Sequence, residues 1–235
     1  MEIDSSGAGS GFLEPEKIVQ FFGLKKGDHI ADFGVGHGYF AIALARAAGG
    51  DGKVYAIDIQ KPALDIVRAK AASEHLLNLE YIWGDLDMPQ GSHLKDRFCD
   101  FVLIASVLFQ AEKKLAVVQE AYRVLREGGR LALIEWSGAA DAQSWEVSPA
   151  SEAAHSLTAP ADGARDSFSG AAHRLGPRPE LWIKKENARA LALQAGFAFE
   201  REFSAGSRHY GLLFVKKLTE LLSSSGASSW WLLSR

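Results

Sequence analysis

Sulfur is nearly missing from this chain: 235 residues include one cysteine and two methionines. Cys99 therefore has no partner for an internal disulfide, and no pair or cluster of thiols exists for a structural zinc site. Such usage fits a reducing, cytoplasmic setting. No apolar run approaches the ~20 residues that cross a bilayer. Residues 1–11 hold acids and small side chains rather than a basic start followed by an apolar segment, so no secretory signal is read there. A surplus of one charge is also lacking. A formal net charge of −3 leaves no broad basic face, which argues against tight non-specific binding to nucleic acid. His155 and His173 lack ligand spacing, and no metal is expected.

What the chain does have is ordinary globular chemistry, 47% hydrophobic and 23% charged, enough for one sizeable α/β core with additions. Its most informative stretch is His29-Ile-Ala-Asp-Phe-Gly-Val-Gly-His-Gly-Tyr-Phe40. An apolar run reaches Asp32 and passes at once into glycines 34, 36 and 38, which reads as a strand turning through a glycine loop into a helix. Backbone without side chains can pass close to a bound molecule. Beyond Gly38 comes a second apolar strand, Lys53 to Gln60, which carries Asp58 near its end, twenty residues after that glycine. In nucleotide-binding βαβ units an acid at this place accepts hydrogen bonds from ribose hydroxyls. A ligand carrying an adenosine is expected on this pair of features.

The rest of the chain alternates between the two periods. A leading helix is expected over Glu14–Phe22, with Pro15 in its first turn, and another over Tyr39–Ala48, ended by Gly49-Gly50. Pro62 opens a third helix, Leu79–Trp83 is a third strand with Asp85 beyond it, and Asp100–Val107 is a fourth strand. Its continuous apolar character suits a parallel strand covered on both faces. Glu112–Arg126 has an apolar helical face, with Gly128-Gly129 as its stop before a fifth strand at Arg130–Trp136. A helix over Asn187–Ala195 and two strands, Phe197–Ser204 and Arg208–Lys216, close the domain as an antiparallel hairpin. Residues 137–175 are rich in Ala, Ser, Gly and Asp and are too long for an ordinary connection, so they read as either a lid or a disordered insertion. The Ser-rich tail, 219–235, carries Trp230-Trp231, which either docks on a partner or belongs to a frayed or self-packed terminus.

Taken in order, Asp32-Phe-Gly-Val-Gly-His-Gly38, Asp58, Gly84-Asp85, Asp100-Phe-Val-Leu-Ile-Ala105 and Leu125-Arg-Glu-Gly-Gly-Arg-Leu-Ala-Leu-Ile134 resemble the motif series of class I S-adenosylmethionine-dependent methyltransferases. The resemblance spans roughly residues 12–216 apart from the insertion. It is nearest to the small-molecule group that includes the ubiquinone and menaquinone C-methyltransferases. It implies a Rossmann-like, doubly wound α/β fold of seven strands, mostly parallel with a C-terminal antiparallel hairpin. The domain would occupy 14–218, after an N-terminal extension at 1–13. By the same resemblance Asp32 and the loop of Gly34, Gly36 and Gly38 hold the methionine end of S-adenosylmethionine. Asp58 takes the ribose with Ile59 against the adenine, Asp85 accepts from the adenine amino group beside Leu86, and Ala105 borders the methionine moiety. S-adenosylhomocysteine is the product.

Two other readings stand beside this one. Gly36-His-Gly38-Tyr-Phe-Ala41 formally satisfies the G-x-G-x-x-A pattern of a nicotinamide-dependent oxidoreductase, although that loop starts directly after its strand and no Tyr-x-x-x-Lys pair is present. A cofactor-binding interaction protein without catalysis is the third. For a methyltransferase, the carboxyl ends of strands four and five place Phe109, Gln110, Glu135 and Trp136 at the acceptor, and His209 and Tyr210 open the last strand. Glu135 and His209 are the candidate bases; Gln110 cannot serve as one near neutral pH. Phe109, Trp136 and Tyr210 offer apolar walls for a small, planar organic acceptor.

Overall fold

The computed structural model describes residues 13–137 and 177–218. Most of the N-terminal extension, the insertion after Ser137 and the Trp230-Trp231 tail lie outside the described residues. Seven strands form one sheet in the order β3-β2-β1-β4-β5-β7-β6. In chain order they are β1 His29–Phe33, β2 Lys53–Asp58, β3 Leu79–Trp83, β4 Cys99–Ala105, β5 Leu125–Trp136, β6 Phe197–Ser204 and β7 His209–Lys216. The first five pair in parallel, whereas β7 runs antiparallel to both β5 and β6.

Helices cover both faces, as uninterrupted apolar strands require. α1 (Pro15–Val19), α2 (Tyr39–Ala48) and α3 (Lys61–Ser73) pack on one face, with Phe22, Leu44, Val67, Phe101 and Leu103 in that layer. α4 (Lys114–Val124) and α5 (Lys185–Gln194) cover the other, around Phe33, Ile57, Ile104, Val118 and Phe214. The chain winds from β1 outward to β3 on one side and from β4 outward on the other. The order thus reverses between β1 and β4, and a crevice opens beyond their carboxyl ends.

Several boundaries differ from the sequence reading. The leading helix yields to a 3-10 turn at Gln20–Phe22, and β4 stops at Ala105, where Ser106 takes φ 56°. The larger difference concerns Gly128 and Gly129, expected to terminate a helix. α4 already ends at Val124, and the chain enters β5 at Leu125. Cys99 pairs with Leu125 and Phe101 with Arg130, so residues 126–129 form an irregularity inside the strand. Gly128, at φ +75°, supplies its turn, the use of glycine expected at a bulge. Among the described residues, no helix is long and apolar enough to cross a membrane.

Candidate functional site

A cleft of about 940 Å³ lies at the carboxyl ends of β1, β2 and β4, with its far wall at β5 and β7. Strand pleating decides which side chains reach it, because successive residues point to opposite faces. Asp58, Ala105 and Trp136 end their strands on the α1–α3 face, Asp32 stands on it one residue before the end of β1, and Ile30, Ala56, Leu103 and Ile134 point the same way two residues earlier. His209 joins them through its pairing with Trp136. Asp32, Gly34, Gly36, Gly38, Asp58, Ile59, Asp85, Leu86 and Ala105 all line this cleft.

The glycine loop is held by β2. Gly34 and Val35 both donate their amides to the carbonyl of Ile57, at 2.8 and 3.0 Å, and Gly36 donates to Asp58 Oδ2 at 2.9 Å. A Cβ on Gly34 would stand 2.5 Å from Val107 Cγ2, so bare backbone there is a packing requirement. Gly36 differs: a Cβ built on it would meet nothing nearer than the Gly34 carbonyl at 4.0 Å. Its peptide is the part of the loop that a ligand can approach closely. The amino end of α2 follows and lends a partial positive charge to the same region.

Three acids stand along this edge in different states. Asp32 is 2% exposed and its Oδ2 has no hydrogen-bond partner. Burial, and then the charge of Asp58, pushes its carboxyl up to about 7. Asp58 is pinned: Oδ2 accepts from Gly36, and Oδ1 accepts from the Gln60 amide at 2.8 Å. Each oxygen keeps a second lone pair for a ligand. Asp85 accepts from the Asp87 amide at 3.0 Å, and Asp87 in turn accepts from the amides of Glu112 and Lys113 at the start of α4. This chain of bonds ties the loop after β3 to the layer behind it. Ile59, 54% exposed, forms an open apolar lip.

The acceptor candidates divide. Gln110, Trp136 and His209 line the cleft, whereas Phe109, Glu135 and Tyr210 do not. Glu135 and Tyr210 are register partners one residue away from Trp136 and His209, and the pleat turns both toward the α4–α5 layer. Glu135 is fully buried rather than a solvated strand end. Its Oε1 accepts from the amides of Val107 and Leu108 at 2.9 and 2.6 Å, fixing the turn after β4. Burial outweighs these bonds and pushes the carboxyl up to about 7. Tyr210 donates its hydroxyl to the Ile183 carbonyl at 2.8 Å, and burial raises its phenol. His209 is 8% exposed, and burial, assisted by Arg208, lowers its imidazole to about 4. Neither its ring nitrogens nor Trp136 Nε1 has a partner, and the two rings lie 4.2 Å apart at 45°.

The sequence reading missed Ser106, Tyr39, Asp87 and Arg208, which also line the cleft. Ser106 had a usable signal, since it directly follows a strand at its carboxyl end. Tyr39 opens the helix behind the glycine loop and had the same kind of signal. Leu13 and Arg208 join the lining from distant parts of the chain, and nothing local in the sequence announces them.

Residues 30–129 match a family model described as a methyltransferase domain. Over that stretch the chain is similar to a methyltransferase domain. A demethylmenaquinone methyltransferase from Geobacillus sp. (strain WCH70) is 30% identical over 123 residues, which cover 52% of this chain and 51% of that relative. The chain thus spans about half the length of the curated relatives it matches. Among solved structures, a SAM-dependent methyltransferase from Aquifex aeolicus superposes with a TM-score of 0.67 at 24% identity, covering 88% of this chain and 91% of its own. The [4+2]-cyclase SpnF superposes with a TM-score of 0.60 at 14% identity, covering 87% and 80%. A fold that also carries a cyclase does not by itself name a reaction, so the activity has to be argued from the cleft.

Proposed function

We propose that this methyltransferase domain binds S-adenosylmethionine and transfers its methyl group to a small organic acceptor. The observation that carries this reading is the buried, unpartnered Oδ2 of Asp32 beside the open peptide of Gly36. A carboxyl held up to about 7 by burial and a neighbouring acid is relieved by a cation. The α-ammonium of an amino-acid ligand is such a cation, and its carboxylate suits the amino end of α2. A dinucleotide would bring a pyrophosphate to the same loop and set its charge against Asp32. The nicotinamide alternative is disfavoured on that ground, although Asp58 serves either ligand.

In this reading Asp58 accepts from the ribose hydroxyls, Ile59 and Leu86 enclose the adenine, Asp85 accepts from its amino group, and Ala105 leaves room beside the methionine moiety. S-adenosylmethionine, when bound, supplies a methyl group on a sulfonium leaving group. The chain's task is then to orient and to exclude water. Asp32 fixes one end, Asp58 the other, and the acceptor enters along β5 and β7 against Trp136. Glu135 is not assigned as a base, because its carboxyl faces the opposite layer and holds two backbone amides. Gln110 can orient an acceptor but takes no proton near neutral pH.

A small acceptor accords with the cleft volume, and with relatives named for demethylmenaquinone. Titration calorimetry with S-adenosylmethionine, S-adenosylhomocysteine and NAD(H) tests the cofactor. Binding of a nicotinamide nucleotide without either sulfur compound would refute the reading. Labelled cofactor supplied separately to a metabolite extract and to total RNA, DNA and protein tests the acceptor class. Label mainly in macromolecules would refute the small-molecule part. Binding of both sulfur compounds with no transfer to any acceptor would favour a non-catalytic binding protein.

A further inference from the structure

Among the described side chains that line the cleft, three residues hold buried polar atoms without partners: Asp32, Trp136 and His209. Asp32 is accounted for by the cofactor's cationic end. The other two are register partners on β5 and β7, and their three orphaned nitrogens form one group. Unpaired buried donors and acceptors are rare because they carry a desolvation cost, and each asks for an explanation. Placement supplies one. Along this edge His209 stands three strands from Asp32, roughly 14 Å at ordinary strand spacing. It therefore lies beyond the stretch assigned to the cofactor and where an acceptor enters.

We propose that Trp136 and His209 form a specificity-determining pair that recognises a neutral hydroxyl group on a planar acceptor. The inference rests on the methyltransferase reading and names the acceptor chemistry of that same cleft. An uncharged imidazole offers one donor and one acceptor, and the indole offers one donor. A hydroxyl can give its hydrogen to the imidazole and receive one from the indole. An ammonium group brings only donors and leaves the indole N–H unpaired; a carboxylate brings only acceptors and leaves the imidazole's lone pair unused. The low proton affinity of His209, caused by burial and Arg208, keeps the ring uncharged near neutral pH. The indole lies beside the imidazole, 4.2 Å away at 45°, and both rings line the cleft, so the acceptor's ring packs against the indole when its hydroxyl meets the nitrogens.

The test uses the full chain saturated with S-adenosylhomocysteine, with 4-nitrophenol, kept below its own ionisation, and nitrobenzene as probes. Wild type should bind 4-nitrophenol about tenfold more tightly than His209→Phe, the loss of roughly one net hydrogen bond, while nitrobenzene binds both equally. His209→Gln, which keeps a donor and an acceptor, should recover most of the difference. His209→Phe removes two orphaned atoms and should melt no lower than wild type. If it fails to fold, Trp136→Phe, which keeps a ring but lacks the N–H, should weaken 4-nitrophenol severalfold and spare nitrobenzene. No saturable binding of 4-nitrophenol, or equal changes for both probes, would overturn the proposal. Absence of S-adenosylhomocysteine binding to wild type would instead overturn the methyltransferase reading beneath it.

Discussion

Replacing Asp58 by alanine removes one carboxylate that does two jobs, and their magnitudes separate. A hydrogen bond to a charged acceptor is worth about 1.5–3 kcal/mol, so losing the ribose contact should weaken cofactor binding by about one to two orders of magnitude. The same change strips the Gly36 and Gln60 amides of their acceptor. Both sites are partly buried, so water replaces some of what is lost, and a cost of roughly 1 kcal/mol for each bond is expected. One term runs the other way. Asp32 loses a repelling neighbour, whose charge adds to burial in raising its carboxyl, and should titrate below 7 in the variant. The assay is calorimetry with S-adenosylhomocysteine, paired with thermal melting and near-UV circular dichroism. Asp58→Asn should fall between, since a carboxamide keeps an acceptor for one amide only. A folded Asp58→Ala protein with wild-type affinity would refute the placement of the ribose on β2.

The pH dependence has a definite sign. Asp32 and Glu135 both titrate at about 7 in the folded protein, above ordinary values of 3.8 and 4.5. The folded state therefore holds these protons more tightly, and ligand-free stability should fall as pH rises from about 4 to about 7. Melting temperatures across that range check this, and Asp32→Asn or Glu135→Gln should each flatten part of the slope. Affinity for S-adenosylhomocysteine should move oppositely, rising as pH passes up through 7, because the ammonium end selects ionised Asp32; a flat calorimetric profile would count against that pairing. Glu135→Ala orphans two buried amides and should cost about 2–4 kcal/mol in denaturant unfolding, whereas Glu135→Gln retains an acceptor and should cost less. Gly34→Ala meets both a positive φ of +74° and Val107 Cγ2 at 2.5 Å and should lose about 2–3 kcal/mol. Adding Val107→Ala should restore only the steric share. Gly36→Ala, at φ +49° with open space around it, should fold with a smaller loss and yet bind cofactor poorly, because its methyl enters the cleft.

Local patterning by itself determined the alternation of strands and helices, the glycine loop and the acids at 32, 58 and 85. Each of these depends on neighbours in the chain: a continuous apolar run needs cover on both faces, and a turn into α2 needs glycine. The closing hairpin was legible for the same reason, since β6 and β7 face each other across the short connection Ala205-Gly206-Ser207-Arg208. Tertiary structure decided everything that depends on which way a side chain points. Adjacent Glu135 and Trp136 look equally available in the sequence, but one residue of pleat sends the carboxyl into the α4–α5 layer and the indole into the cleft. His209 and Tyr210 separate by the same rule. Gly128 and Gly129 suited a helix stop equally well until β4 pairing drew Leu125 into the sheet and left them as an irregularity within it. The burial that lifts Asp32 and Glu135 and lowers His209 also belongs to the assembled layers, because desolvation is a property of everything packed around a group and not of the residues beside it in the chain.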